Sequence, residues 1–193
     1  MFDKIKAKGW DTDVRIKMIN DFANIAKTKI ENIDNKTILD FGTGTGLLLL
    51  NFKNAKSLIG IDNSNDMLNI LKEKIDLENI KNISLYNSLE EVKENYDIVV
   101  SSMAFHHIED IDNLIKNLKS KLNKNGQIFI FDLCKEDGSF HKNNIGIYHF
   151  GFDKKYLKDI LIKNEFKNIQ FEVVYEIERN SKIYEIFLLN AQI

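Results

Sequence analysis

The sequence has no proline and only one cysteine and one tryptophan among its 193 residues. A single cysteine, Cys134, excludes an internal disulfide and fits a reducing compartment, so we expect a cytoplasmic protein. No stretch approaches the roughly 20 apolar residues that a membrane span requires. The N-terminal MFDKIKAKGWDTD lacks the apolar core and the small-residue cleavage site of a secretory signal. We therefore expect neither a membrane anchor nor export.

A strong charge of either sign is missing as well. The 27 basic and 29 acidic side chains leave a formal net charge of −2, and the pI is about 6.1. This balance provides no general positive field for nucleic acid, so we expect no nucleic-acid partner. The length suits one domain with a sizeable core and is short for two. We expect a single domain over residues 1–193, as a monomer or a homodimer.

Short apolar runs alternate with amphipathic stretches, which is typical of an α/β protein. We predict strands at residues 37–41, 57–62, 83–87, 96–102, 127–133, 169–175 and 183–189. We predict helices at residues 13–30, 47–54, 65–75, 89–94, 108–122 and 153–164, the first capped by Thr12 or Asp13 and the fifth stopped by Asn125-Gly126. Five strand–helix units followed by two consecutive strands predict a doubly wound, seven-stranded, mostly parallel sheet that ends in an antiparallel hairpin.

The first predicted strand runs into DFGTGTG, residues 40–46, where glycine occupies every second position. One glycine would suffice for a tight turn, so three indicate that a ligand approaches the backbone closely. A dinucleotide fingerprint needs a further glycine where this chain has Leu47, and a phosphate loop needs a Gly-Lys-Ser/Thr sequence that is missing. The leading acid, Asp40, favours a ligand with positive charge.

The second predicted strand ends at Asp62, which could accept hydrogen bonds from both hydroxyls of a ribose. The alternative is that Asp62 caps the following helix; its spacing from the glycine turn favours the ribose. Met67 is placed to lie against an adenine ring, or equally to be a core methionine.

Four stretches carry a resemblance: ILDFGTGTGLL, GIDNSNDML, YDIVVSSMAFHHI and LKSKLNKNGQIFIFDL. They follow one another in the order of the motifs of class I S-adenosylmethionine-dependent methyltransferases. The sequence resembles this family from about Thr37 to Leu133, and it is most similar to the small-molecule branch that includes the quinone-biosynthesis methyltransferases. The resemblance implies a Rossmann-like fold, S-adenosylmethionine as cofactor, S-adenosylhomocysteine as product and a small-molecule acceptor. It also implies an N-terminal helical cover (1–36), a cofactor-binding core (37–133), an acceptor-side segment (134–152) and a C-terminal helix and hairpin (153–193).

The resemblance further implies which residues contact the cofactor. Asp40 would lie near its amino group, Asp62 at its ribose hydroxyls and Ser101 at its methionine end. Many relatives have an aspartate after the third strand to bind the adenine, and this chain departs from them there. The full set of expected cofactor contacts is Asp40, Gly42, Thr43, Gly44, Thr45, Gly46, Asp62, Asn63, Met67, Asn87, Ser88, Leu89 and Ser101.

Methyl transfer is an in-line displacement, so an enzyme must chiefly align the acceptor, and a hydroxyl or protonated amine also needs a base. His106 and His107 follow the fourth predicted strand, and Asp132 ends the fifth. In the family's strand order these ends are neighbours, so a histidine and Asp132 could pair as a base and its orienting carboxylate. Alternatively, one histidine caps or packs under the next helix, and we do not expect both to face the pocket. The candidate catalytic residues are His106, His107, Asp132 and His141.

The acceptor-side segment has no regular pattern, and its glycines suit a mobile lid over the acceptor, although it could also be an ordinary surface loop. Its histidines match no standard zinc spacing, so we predict no metal site. Trp10 is either part of a cover over the cofactor or an anchor for the terminus. Without proline, the chain lacks the Pro-Cys pair of cytosine-C5 methylation and the Asn-Pro-Pro-Tyr motif of amino methylation. A non-catalytic cofactor-binding subunit and an RNA or protein methyltransferase remain alternatives.

Overall fold

The computed structural model describes residues 9–179 and 181–193. The predicted cover is thus described from residue 9 onward, and its first eight residues lie outside the described part. The strands are β1 (Thr37–Phe41), β2 (Ser57–Ile61), β3 (Ile83–Tyr86), β4 (Tyr96–Ser102), β5 (Leu122–Leu133), β6 (Lys167–Arg179) and β7 (Lys182–Gln192). The helices are α1 (Asp13–Lys29), α2 (Asn65–Leu77), α3 (Ile111–Ser120) and α4 (Lys154–Lys163). Short 3₁₀ turns occupy Ile33–Asn35, Leu49–Phe52, Leu89–Glu91 and Phe105–His107.

The seven strands form one sheet in the order β3-β2-β1-β4-β5-β7-β6. Strand β7 is antiparallel to both of its neighbours, and the pairs among β1 to β5 are parallel. The predicted α/β, doubly wound sheet with a terminal hairpin is therefore confirmed. Because the chain moves outward from β1 to β3 and then returns to β4 on the other side of β1, the strand order reverses between β1 and β4. Crevices at such switch points bind ligands in open α/β sheets.

The core lies on both faces of the sheet, because successive strand residues point to opposite sides. Ile38 packs on the face covered by α1 and the Leu49–Phe52 turn, and Leu39 packs on the face covered by α3 and α4. None of the helices in the described ranges is long and apolar enough to cross a membrane.

The helix predicted for residues 47–54 is wrong, because only a 3₁₀ turn forms at Leu49–Phe52. Asn51 donates its side-chain amide to the Leu47 carbonyl at 2.9 Å, while its backbone N–H bonds Leu48 O at 3.1 Å. The side chain thus takes the acceptor that an α-helical backbone bond would use.

The predicted stop of α3 is also wrong. The helix ends at Ser120. At its start, Asp110 is the N-cap, and its carboxylate accepts the Asn113 N–H at 2.9 Å. The Asn125-Gly126 pair instead lies inside β5, where Asn125 has a φ of 64°. Strand pairing shifts register there, because β4 pairs first with Leu122 and then with Gln127. Tertiary pairing therefore extends β5 back to the end of the helix. The cap predicted at Thr12 for α1 is confirmed.

Candidate active site

The glycine turn follows the carboxyl end of β1, and its three glycines have different surroundings. All three have positive φ angles, 73° at Gly42, 54° at Gly44 and 81° at Gly46. A Cβ at Gly42 would collide with Ala104, and one at Gly46 would collide with Leu71. A Cβ at Gly44 would meet no atom within 4 Å. Two glycines are thus needed for packing within the protein, and only Gly44 faces open space. The inference that all three make room for a ligand is corrected accordingly.

Asp62 lies directly beside Gly44. Its Oδ2 accepts the Gly44 N–H at 2.8 Å, and its Oδ1 accepts the Ser64 N–H at 2.9 Å. The cap of α2 is Ser64, whose side chain accepts from Met67 N, so the alternative of Asp62 as N-cap is wrong. Burial raises the pKa of Asp62, and the two backbone donors oppose that rise. The carboxylate is therefore held at the switch point with lone pairs available for further donors.

Asp40 is buried at the end of β1, with 1% of its surface exposed. Its Oδ2 accepts the Thr43 hydroxyl at 2.9 Å, and its Oδ1 has no hydrogen-bond partner of normal geometry in the described ranges. Burial raises the pKa of Asp40 to about 7, and the nearby charge of Asp62 adds to the rise. A buried carboxylate with a free oxygen suits a cationic partner, which would stabilise its charged form.

This raised pKa gives a prediction for Asp40→Asn. Between the ordinary value of 3.8 and about 7, the folded protein holds a proton on Asp40 that the unfolded chain releases. Stability from this group is therefore present at low pH, falls as the pH rises toward 7, and stays low above it. We expect Asp40→Asn to raise the free energy of unfolding of the ligand-free protein by roughly 1–3 kcal/mol at about pH 8, and by much less at about pH 5. Urea unfolding at both pH values measures this. The exposed Asp76→Asn serves as control, and an equal effect at both pH values would contradict the assignment.

Thr45 belongs to a network of polar contacts that no motif in the sequence indicates. Its hydroxyl donates to Asp11 Oδ1 at 2.5 Å. Lys74, from α2, donates to Asp11 Oδ2 at 2.6 Å and to the Thr45 carbonyl at 2.7 Å. The segment before α1 is thus fastened onto the glycine turn, and its role as a cover over the cofactor stays a prediction. No spacing rule connects Asp11 and Lys74, so only the folded chain reveals them.

The residues predicted to contact the adenine lie near Asp62 and differ in how exposed they are. Met67 is 2% exposed, so it is buried within the protein. Asn87 donates its side-chain amide to Asn65 Oδ1 at 2.8 Å and to the Asp62 carbonyl at 3.4 Å. Asn63 is exposed beside them. Their contact with an adenine stays a prediction.

The remaining predicted cofactor residues are less accessible. Leu89 is 9% exposed and packs in the core, and Ser88 is half-buried before it. Ser101 is fully buried, and its hydroxyl donates to the Phe41 carbonyl at 2.7 Å. Ser101 therefore links the ends of β4 and β1, and its contact with the methionine end stays a prediction.

The structure brings His106 and Asp132 together at the ends of β4 and β5. The His106 Nδ1 and Asp132 Oδ1 lie 2.7 Å apart, and both side chains are buried. Asp132 also accepts the backbone N–H groups of His106 at 3.2 Å and of Leu133 at 2.7 Å. Three donors on one buried carboxylate fix the position of the His106 ring.

This arrangement predicts a moderate cost for Asp132→Asn. The asparagine oxygen can still accept from the His106 ring and from Leu133, but its NH₂ group would face the His106 backbone N–H, and two donors cannot bond. We expect the free energy of unfolding to fall by about 1–3 kcal/mol. Urea unfolding measures the change, and the exposed Asp159→Asn, which pairs with Lys155, should have little effect. Unchanged stability of Asp132→Asn would show that Asp132 does not accept the His106 backbone N–H.

His107 and His141 lie against this pair. His106 is buried and His107 is exposed, and the expectation that the two do not both face the pocket stays a prediction. The His107 ring is centred 4.2 Å from that of His106, and the His141 ring 4.9 Å from it. His107 Nδ1 lies 2.8 Å from the Gly146 carbonyl, which requires an N–H at Nδ1. Burial lowers the pKa of His107, and His106 lowers it further. Burial and the two neighbouring histidines lower the pKa of His141 to about 4. Both rings are therefore neutral near pH 7.

The acceptor-side segment closes over this histidine cluster. It forms no helix, and its base is held by a parallel bridge between Cys134 and Phe152. The backbone N–H groups of Tyr148 and His149 both donate to the His106 carbonyl, at 3.0 and 3.2 Å. The segment thus covers the ends of β4 and β5, and its mobility stays a prediction. In the described ranges, no group of three or more His, Cys, Asp or Glu side chains is arranged to hold a metal ion.

Comparisons with known proteins agree with this architecture. Residues 15–177 match the family described as "Methyltransferase domain". The chain is 34% identical over 146 residues to an uncharacterized methyltransferase of Schizosaccharomyces pombe, covering 64% of this chain and 51% of that protein. It is 30% identical over 151 residues to the ubiquinone biosynthesis O-methyltransferase of Pelagibacter ubique, covering 69% of this chain and 63% of that protein. The chain thus spans only about half to two thirds of the length of these curated relatives.

A solved structure, that of a SAM-dependent methyltransferase from Aquifex aeolicus, superposes with a TM-score of 0.73. The two chains cover each other fully, at 20% identity, which supports the fold. Together with the match over residues 15–177, this shows that the chain belongs to the methyltransferase domain family, with the Rossmann-like fold of class I S-adenosylmethionine-dependent methyltransferases.

Proposed function

We propose that the protein transfers a methyl group from S-adenosylmethionine to a small-molecule acceptor. The observation that carries this proposal is the Asp62 carboxylate held 2.8 Å from the N–H of Gly44, the one glycine of the turn that faces open space. A carboxylate and an open backbone at the switch point of a parallel sheet suit a nucleoside.

The residues present fit the cofactor. Each oxygen of Asp62 accepts one backbone N–H and keeps a lone pair for a ribose hydroxyl. Asp40 offers a carboxylate oxygen that has no hydrogen bond of normal geometry among the described residues, which suits an ammonium group. When bound, S-adenosylmethionine supplies a methyl group on a positively charged sulfur, which leaves as a neutral thioether.

His107 is the best-placed base. Because its Nδ1–H donates to the Gly146 carbonyl, the lone pair of the neutral ring is on Nε2. Its lowered pKa keeps the ring neutral near pH 7, ready to accept a proton from a hydroxyl or an ammonium group. The His106 ring, which Asp132 holds in place, packs against the ring of His107. We assign His141 the second place, since its ring belongs to the same cluster but its Nδ1 is buried without a partner in the described ranges.

The small acceptor is supported by two observations. One relative is the ubiquinone biosynthesis O-methyltransferase of P. ubique, which by its name acts on a small molecule. The net charge of −2 gives no support to a nucleic-acid substrate. We place the reaction in the cytoplasm, since the single cysteine, Cys134, excludes an internal disulfide and fits a reducing compartment.

Calorimetric titration with S-adenosylmethionine and S-adenosylhomocysteine tests the proposal. We expect micromolar binding of both, followed by methyl transfer in a panel of hydroxyl- and amine-bearing acceptors. Binding without turnover across the panel would support the non-catalytic subunit instead. Turnover only with RNA or a protein would support the third alternative, and no binding of either nucleoside would overturn the proposal.

A further inference from the structure

Arginine is rare in this chain. Of the 27 lysine and arginine residues, only Arg15 and Arg179 are arginines. Arginine and lysine differ chemically, because the planar guanidinium forms paired hydrogen bonds with a carboxylate or a phosphate. Because lysine occupies the other basic positions, the two arginines mark places where paired hydrogen bonds could form.

The packing of α1 along β6 brings these two positions to the same end. Lys29, at the end of α1, pairs with Glu172 at 3.0 Å. Two turns earlier, Phe22 packs edge-to-face on Tyr175, with ring centroids 5.7 Å apart. Arg15 lies two further turns toward the start of α1. The contacts of Lys29 and Phe22 with β6 therefore place Arg15 level with the end of β6. Helix and strand thus run side by side in opposite directions.

Each guanidinium is half-buried against an aromatic ring. Arg15 stacks over Trp10 at 3.9 Å and donates to the Trp10 carbonyl, and Arg179 lies over Phe140 at 5.3 Å. Their charges interact, since Arg179 lowers the pKa of Arg15, although burial is the larger cause. Among residues 9–179 and 181–193, neither arginine side chain forms an ion pair.

One acid near Arg15 is already engaged. Asp11 attracts the Arg15 charge, but its two oxygens are bound by Thr45 and Lys74. Arg15 therefore keeps the capacity to bind an anionic group of a ligand.

Arg179 lies on the acceptor side of the site. Phe140, under Arg179, belongs to the acceptor-side segment, and its ring is centred 4.9 Å from that of His141. His141 in turn lies 4.9 Å from His106, and the charge of Arg179 reaches His141. Arg179 thus borders the histidine cluster, and Arg15 reaches the same end of the fold from the segment that is fastened to the glycine turn.

We propose that Arg15 and Arg179 bind an anionic group of the acceptor, a carboxylate or a phosphate, and so select acidic acceptors. The assignment to the acceptor rests on the proposed methyl transfer, while anion binding itself does not. The aromatic rings under both guanidinium groups hold them in place, so little side-chain freedom is lost when the anion binds.

Trp10 provides a direct probe, because it is the sole tryptophan of the sequence and lies under Arg15. Tryptophan fluorescence is followed while sodium phosphate or sodium benzoate is added at constant ionic strength. We expect a saturable change with at least one of the two anions, whose identity distinguishes phosphate from carboxylate. Arg179→Gln should weaken the response by about 10-fold or more, and Arg179→Lys should restore only part of it. Arg179 lies over Phe140, and the replacement leaves Arg15 in place over Trp10.

Two controls complete the experiment. Lys167→Gln, an exposed cation at the start of the same strand, should respond like the unmodified protein. Calorimetry with S-adenosylmethionine should give the same affinity for Arg179→Gln within about twofold. Absence of an anion response in the unmodified protein, or an unchanged response in Arg179→Gln, would overturn the proposal. A loss of cofactor affinity of about 10-fold or more in Arg179→Gln would also overturn it, by assigning the anion to the cofactor. Failure of the unmodified protein to bind S-adenosylmethionine would instead overturn the proposed function and leave the anion response intact.

Discussion

Replacing Asp62 with alanine is expected to weaken S-adenosylmethionine binding by about 100-fold or more. The change removes the acceptor for two ribose hydroxyls, and hydrogen bonds to a charged group contribute about 1.5–3 kcal/mol each. It also leaves the N–H groups of Gly44 and Ser64 without their acceptor, so the turn loses one of the bonds that hold it near β2, while the bond from Thr43 N–H to the Ile61 carbonyl remains. Loss of the ribose contacts and loosening of the turn act in the same direction.

Calorimetric titration with S-adenosylmethionine measures the change. Asp76→Ala is the matched control, since Asp76 is an exposed aspartate near the other end of α2. Far-ultraviolet circular dichroism separates lost binding from lost folding. An affinity of Asp62→Ala within about threefold of that of the unmodified protein would refute the ribose assignment and, with it, the observation on which the proposed function depends.

Replacing His107 with glutamine is expected to lower kcat for methyl transfer by about 10²–10⁴-fold, the usual contribution of a positioned general base. Cofactor affinity should stay unchanged, because the ring lies on the acceptor side. The unmodified enzyme should lose activity as the pH falls through the pKa of His107, because a protonated ring cannot accept a proton. That pKa is lowered by burial, so the acid limb should lie below the ordinary histidine value of 6.5.

The assay uses the acceptor that the panel identifies, with kcat recorded against pH. His149→Gln is the matched control, since the ring of His149 lies against Phe152 and Tyr156 instead of the histidine cluster. His141→Gln tests the second candidate under the same conditions. Activity of His107→Gln close to that of the unmodified enzyme, with a large loss in His141→Gln, would transfer the role of base to His141. Retention of the acid limb in His107→Gln would show that another group produces it.

Most of the architecture could be predicted from the sequence, because it depends on local patterns. Apolar runs and amphipathic stretches mark strands and helices wherever burial repeats with their period. The strand ends then place Asp40 and Asp62 at one edge of the sheet without any knowledge of packing. Predictions failed where a side chain or a distant strand competed with the local backbone pattern. Asn51 replaced a helical hydrogen bond, and pairing with β4 drew Asn125-Gly126 into β5.

By itself the sequence determined the sheet, its switch point and the family motifs, since these follow from the order of residues along the chain. Only the tertiary structure decided which polar groups meet. It joined His106 to Asp132, fastened Asp11 to Thr45 and left Gly44 as the open position of the turn. It also brought Arg15 and Arg179 to the same end of the packing of α1 along β6. Such contacts depend on which strand and helix lie next to each other, and no local spacing encodes that.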